Sequence, residues 1–241
     1  MHKYCIGIVA MLLGLAGCGG NDTGSEALDV YAAASLAEVF PEIEPDANFS
    51  FAGSDELATQ IREGAPADVY AAASSKYPQE LYDEGLVEEP VTFASNRLVL
   101  VVPKANPGAI ESVEDILRPG TRLVVAADGV PVGDYTRTVL ETLGLSKALE
   151  NVVSNEDDVK GVTAKVSLGE ADAGFVYATD VTPVADRVHA VELPDDAQPP
   201  IEYQAAVVAG TDQEDAARAL VELLGSQPGR NALAQAGFAL P

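Results

Sequence analysis

The stretch "DVYAAAS", residues Asp29–Ser35, returns letter for letter as Asp68–Ser74. Each copy is an apolar strand end that runs into alanines and then a serine. The first continues as Ser35-Leu-Ala-Glu38, the spacing of a capping box. The second continues as Ser74-Ser75 ahead of a helical stretch, Lys76–Glu84, that Gly85 closes. Both copies read as a strand delivered into a helix start with only small side chains at the corner. In a parallel sheet such corners lie at the carboxyl ends of the strands, where open α/β sheets bind ligands. Alanines let a ligand approach the backbone, and the unpaired N–H groups of a first helical turn form an anion site.

Working outward, short β-branched runs alternate with stretches of helical period, the pattern of an α/β protein with mostly parallel strands. Strands are expected at Leu28–Ala32, Asp68–Ala71, Leu98–Val102, Leu123–Ala126, Gly174–Tyr177, Val188–Leu193 and Tyr203–Val208. Leu36, Val39, Phe40 and Ile43 fall on one helical stripe, which Pro41 shortens or kinks. Further helices are expected over Asp55–Glu63, Thr136–Leu143 and Glu156–Leu168, and one running to Leu224 opened by a capping box at Thr211-Asp-Gln-Glu214. Two Pro-bearing stretches, "NRLVLVVPKANPG" (96–108) and "PDDAQPPIEYQAAVV" (194–208), read as crossings between lobes. A double crossing makes a two-strand hinge and a cleft, with one lobe from residues 28–100 and 203–241 and the other from 101–202.

Residues 1–17 read as an export signal. His2 and Lys3 precede the apolar run Ile6–Leu15, and Leu15-Ala-Gly-Cys18 has the form of a lipobox, with Cys18 the lipidated residue. An ordinary signal peptide is the plainer alternative. Residues 18–27, containing "GGNDTGSE", then form a polar, Gly-rich tether to the membrane surface. Cys5 and Cys18 are the only cysteines, so the expected mature chain has no disulfide and relies on a packed core. With 38 acidic against 14 basic residues the net charge is −24, which argues against a nucleic-acid partner. The same balance stands in tension with an anionic ligand.

Two more small-residue helix starts lie at Phe51-Ala-Gly-Ser-Asp55 and Val130-Pro-Val-Gly133. Four such corners exceed what core packing requires, although Ala-rich turns and Ser caps occur in many α/β proteins. Read locally, then, both an anion site and ordinary turns stay open.

The combination "VYAAASLAEVF", "SFAGSDELATQIREGAPADVYAAAS", "LVLVVPK", "VPVGDY", "EDDVKGV", "DAGFVYATD", "EYQAAVV" and the late "GF" resembles the periplasmic molybdate-binding proteins, solute receptors of ABC importers. The likeness runs in order from Leu28 to Phe238. It implies a two-lobed periplasmic-binding fold of type II and a molybdate or tungstate dianion held by neutral donors, with no cofactor. Carried over by position, Ser35 would contribute its hydroxyl and nearby N–H groups, with Ala33 lining the corner. Ser54 would contribute hydroxyl and N–H, Ala73, Val132 and Val159 their N–H groups, and Tyr177 its hydroxyl. The resemblance further implies a monomeric receptor, lipid-anchored outside the cytoplasm, that serves a membrane permease. A locally positive pocket of N–H groups also removes the tension with the acidic surface.

Departures from the pattern are Asp55 and Asp134 beside the expected anion, Val132 in place of alanine, and Ser74 in place of aspartate. Either aspartate would accept a proton from hydrogen phosphate and so shift specificity, unless turned outward to stabilise its own helix start. An enzyme is not expected. There is no Gly-x-Ser-x-Gly elbow, no mature cysteine to serve as a thiol nucleophile and no His-rich metal spacing, and Asp157-Asp158 and Asp195-Asp196 read as a helix start and a loop. Other tetrahedral oxyanions, sulfate or phosphate, and a sensor lipoprotein of the same fold are the alternatives.

Overall fold

The computed structural model describes residues 27–241, so the expected signal peptide, Cys18 and nearly all of the tether lie outside the described residues. From the amino end the elements are β1 (Asp29–Ala33), α1 (Phe40–Ile43), β2 (Asn48–Ala52), α2 (Ser54–Arg62), β3 (Val69–Ala72), α3 (Lys76–Asp83), β4 (Val91–Asn96) and β5 (Leu98–Pro103). Next come β6 (Leu123–Ala126), α4 (Pro131–Thr142), β7 (Val152–Glu156), α5 (Val159–Ser167) and β8 (Ala173–Tyr177). The chain closes with β9 (Val188–Glu192), β10 (Ile201–Val207), α6 (Glu214–Gly225) and α7 (Gln227–Gln235). Among the described residues no helix is long and apolar enough to cross a membrane.

The strands form two five-stranded sheets of matching design, ordered β2-β1-β3-β10-β4 and β7-β6-β8-β5-β9. In each, three strands pair in parallel and the remaining two pairings are antiparallel. Four of five strands in each sheet still run in one direction, because β10 and β5 are the single reversed strands. Those two follow the crossings between the sheets. A strand that enters a sheet from the neighbouring lobe comes from the opposite side, so it runs against its neighbours.

The repeated heptapeptide explains the centre of the first sheet. Its two copies are β1 and β3, parallel neighbours with Val30 opposite Val69, Tyr31 opposite Tyr70 and Ala32 opposite Ala71. Like residues therefore face like residues, and the two Ala-Ser corners leave the sheet side by side. At the other end Asp68 accepts the Asp29 N–H at 2.8 Å and Gln213 Nε2 at 3.1 Å, and also takes the Thr211 hydroxyl. Thr211 thus fastens α6 to the start of β3, and the helix begins at Glu214, with Gln213 at the cap position and without the expected side-chain capping box.

Several sequence expectations shift for physical reasons. The stripe from Leu36 to Ile43 splits into a 3₁₀ turn at Ala34–Leu36 and a one-turn α1, since Pro41 limits the helix to its own first turn. Three strands carried no clear signal. β2 and β7 are edge strands whose alternating burial leaves no apolar run, and β4 starts exposed at Val91. Glu156 belongs to β7 rather than to a helix, and α4 begins five residues before Thr136, at Pro131. The expected boundary at residue 100 falls inside β5, which lies wholly in the second sheet; the chain crosses at Arg97 and returns between Glu192 and Ile201. The second boundary, at 202, likewise falls inside β10. An apolar strand crosses as a unit, because cutting it would leave ladder groups unpaired in the core.

The two sheets' flanking layers meet across a cleft. Tyr77 Oη donates to the Gly129 carbonyl, Lys76 pairs with Asp134 at 3.7 Å, and Asn96 Nδ2 donates to Thr179 Oγ1 at 2.9 Å. Lys160, on α5, lies 3.5 Å from Glu38 of the first lobe and 3.2 Å from Asp180 of its own. Both Asp180 oxygens are buried and neither receives a well-aligned hydrogen bond, so Lys160 is their counter-charge.

Burial pushes the Asp180 carboxyl up to about 6 from 3.8, against the pull of Lys160. The folded state therefore holds that proton more tightly than the unfolded chain. The stabilisation is complete below the unfolded value and is lost as pH rises through about 6. Melting temperatures of the wild type and Asp180→Asn, compared at steps from pH 4 to pH 8, are expected to show the wild type losing ground to the variant across that window.

Candidate anion-binding site

Four chain corners converge where the lobes meet. Ala33, Gly53, Val130 and Asp158 each hold an extended conformation and hand the chain into a 3₁₀ turn or helix. The N–H groups of the residues that follow have no partner within their own helix. Ser54, Asp55 and Glu56 open α2, Val132 and Gly133 open α4, and Val159 and Lys160 open α5. Pro131, at the first position of α4, has no N–H to leave unpaired.

These corners border a small cavity of about 10 Å³, lined by residues of both lobes. All seven residues named from the sequence lie on that lining: Ala33, Ser35, Ser54, Ala73, Val132, Val159 and Tyr177. No Lys or Arg side chain is among the lining residues. The charge available to a ligand therefore comes from N–H groups and helix dipoles.

Neither serine caps a helix. Ser35 sits inside its 3₁₀ turn, and its Oγ lies 2.9 Å from the Tyr203 hydroxyl. Tyr203 in turn packs edge-on against Tyr177, with ring centres 5.8 Å apart. Ser54 Oγ accepts the Ala73 N–H at 3.1 Å, which leaves the serine proton free to point into the cavity. This changes the part of Ala73. Its N–H, expected to face a ligand, instead orients Ser54, because that hydroxyl lies within reach of it. The Ser54 carbonyl is held from behind by Tyr70 Oη at 2.7 Å.

Tyr177 carries the clearest signal. It is 1% exposed, its Oη is buried, and among the described residues it has no hydrogen-bond partner. Burial pushes its ionisation well above the ordinary tyrosine value, so it stays a donor. A buried hydroxyl without a partner costs about 1–3 kcal/mol, so a ligand that accepts its proton recovers that cost.

Gly53 and Asp158 line the site but were not named from the sequence as site residues. Asp158, in the pair read as a helix start, caps α5, with Oδ1 accepting the Gly161 N–H at 2.8 Å. That bond turns the carboxylate to its own helix. Asp134 is likewise turned away, accepting the Gly129 N–H at 2.9 Å. Gly53 matters for space: a Cβ there would meet the Asp157 carbonyl of the facing lobe at 2.6 Å. No local pattern shows this, because the clash is with the opposite lobe.

Residues 28–239 match the family model of bacterial extracellular solute-binding proteins. The chain is 38% identical over 256 aligned positions to the molybdate-binding protein ModA of Mycobacterium tuberculosis, covering 98% of this chain and 97% of that one. It is 28% identical to a putative ABC transporter substrate-binding lipoprotein of Bacillus subtilis, over 98% of both chains. Among solved structures, the Azotobacter vinelandii periplasmic molybdate-binding protein superposes with a TM-score of 0.78 at 24% identity, over 89% of this chain and 99% of that one. A two-lobed fold whose cleft gathers helix-start N–H groups and hydroxyls, without a basic side chain, agrees with these likenesses, and the chain belongs to the bacterial extracellular solute-binding proteins, grouping there with the ModA proteins.

Proposed function

We propose that the protein captures molybdate outside the cytoplasm and presents it to an ABC permease. The observation that carries this reading is the buried, unpartnered Tyr177 hydroxyl, aimed with Ser35, Ser54 and three helix starts into one space between the lobes. Such a shell suits an anion that only accepts hydrogen bonds, as molybdate, tungstate and sulfate do. Hydrogen phosphate would turn its proton towards a donor and lose affinity. The rigid corners favour the larger molybdate and tungstate over sulfate.

The anion ties the lobes together. Residues 28–96 and 201–241 act as one body and 98–192 as the other, and a ligand touching both biases the hinge towards closure. The closed form is the one a permease recognises. Binding, not chemistry, is the activity, and the receptor works as a monomer held to the membrane through lipidated Cys18.

Thermal unfolding with millimolar molybdate, tungstate, sulfate and phosphate in turn tests this. A ligand at about 1,000 times its Kd adds roughly 4 kcal/mol, on the order of 8–16 °C here. Molybdate and tungstate are expected to give that shift and sulfate little. A shift with phosphate alone would overturn the assignment.

Two variants probe the geometry. Tyr177→Phe removes one donor to a charged ligand, worth about 1.5–3 kcal/mol, so molybdate affinity by calorimetry is expected to fall roughly 10- to 100-fold. Stability without ligand should hold or rise, because an unsatisfied hydroxyl leaves the core. Gly53→Ala places its methyl 2.7 Å from Asp55 Oδ1, the movable end of a side chain of its own lobe that can turn aside, and against the fixed Asp157 carbonyl of the other lobe. The second contact is an overpacking of about 1–3 kcal/mol felt when the lobes close. Affinity is expected to drop about tenfold or more while the ligand-free protein melts as before.

A further inference from the structure

The carboxylate of Asp55 stands one residue beyond Ser54, in the first turn of α2. Its Oδ1 is buried and has no hydrogen-bond partner among the described residues. The position of a Cβ on Gly53 lies 2.7 Å from that oxygen and 2.6 Å from the Asp157 carbonyl oxygen of the other lobe. Two acceptors, one from each lobe, thus border the small space over Gly53. No hydrogen bond of the described residues ends on the Asp157 carbonyl. Two bare acceptor oxygens repel, whereas one proton between them makes a hydrogen bond.

We propose that Asp55 is a proton-operated latch, protonated when the lobes close, its carboxyl donating to the Asp157 carbonyl, so that the receptor takes up a proton together with its anion. The latch rests on the reading of the cleft as an oxyanion site that closes, and deepens it by making capture depend on pH.

The surroundings of Asp55 push the same way. Desolvation raises its carboxyl above the usual aspartate range, and Glu56 on its own helix and Asp134 at the start of α4 add to that. The N–H groups of Asp55 and Glu56 pull in the opposite direction. Behind α2, Tyr70 is neutral and donates to the Ser54 carbonyl. On α3, Lys76 directs its Nζ to Tyr77 Oη at 3.3 Å and to Asp134 at 3.7 Å rather than to Asp55. At the start of α5, Asp158 faces its own helix. A dianion arriving next to Ser54 adds two more negative charges, which favours the neutral form of Asp55 further. Because the same proton removes the repulsion between acceptors that closure brings together, anion binding and lobe closure both raise the affinity of Asp55 for that proton.

Two measurements on the soluble chain from residue 19 onward, with Asp55→Asn and Asp55→Ala alongside, test the latch. The first is small-angle scattering without ligand. The wild type is expected to become more compact as pH falls from 8 to 5. Asp55→Asn, which offers an amide donor at every pH, should stay compact throughout, and Asp55→Ala should respond little. The second is calorimetric titration with sodium molybdate from pH 5.5 to 8 in buffers of different ionisation enthalpy. The wild type should take up as much as one proton per anion in part of that range, its affinity falling up to tenfold per pH unit there. Asp55→Asn should take up none and lose the pH dependence. Compaction and proton uptake that are the same in wild type and both variants would overturn the latch, as would a wild type with neither. Compaction lost in Asp55→Ala with no molybdate binding at any pH would uphold the latch and refute the molybdate reading.

Discussion

An anion held without any basic side chain needs N–H groups that have nothing else to bond, fixed in place before the ligand arrives. That constraint governs this molecule. Helix starts supply the N–H groups, because a first turn has no preceding carbonyls to bond to. They converge only if strands end together at one edge of each sheet and the two sheets face each other there. The paired sheets, the corners of small residues and the crossing strands β5 and β10 all serve that geometry.

The same constraint accounts for the polar groups behind the corners. A serine hydroxyl donates reliably to a ligand only if its lone pairs are engaged elsewhere. Ser54 accepts from Ala73 and Ser35 is matched to Tyr203, so both are held from the protein side. Tyr177 differs, since nothing in the described structure engages its hydroxyl. It is the one side chain of the set whose burial makes sense only with an acceptor in front of it. Its ring, locked edge-on against Tyr203, lets the hydroxyl point in one direction without being bonded there.

Acidity, seen as an obstacle in the composition, is partitioned by the fold. Asp134 and Asp158 lie close to the cleft and bond to N–H groups of their own lobe, which fixes their direction. Asp180 is buried behind the site with Lys160 as its counter-charge, and Lys160 also reaches Glu38 across the cleft. Asp55 alone among these keeps a buried oxygen with neither a hydrogen bond nor a cation, and that oxygen borders the space the other lobe's Asp157 carbonyl also lines. A net charge of −24 therefore says little about the cleft, where local donors outweigh distant surface charge.

The sequence by itself determined the α/β class and the Ala-Ser corners, which rest on local rules: small residues at strand ends, alternation of apolar runs with helical periods, and a repeated heptapeptide. Local rules left the site open, and its seven residues were named through the resemblance to the molybdate-binding proteins. That repeat could not announce that its copies would lie side by side in register; pairing joins residues 39 apart and is set by the sheet. The edge strands β2, β4 and β7 were hidden because partial burial leaves no apolar run to read. Only the tertiary structure decided that Ala73 orients Ser54, that β5 lies whole in the second sheet, and that Gly53, beside the Asp55 carboxylate, faces the Asp157 carbonyl. Each of those facts depends on an atom contributed by a distant stretch of chain, and a local pattern carries no information about what will stand opposite it.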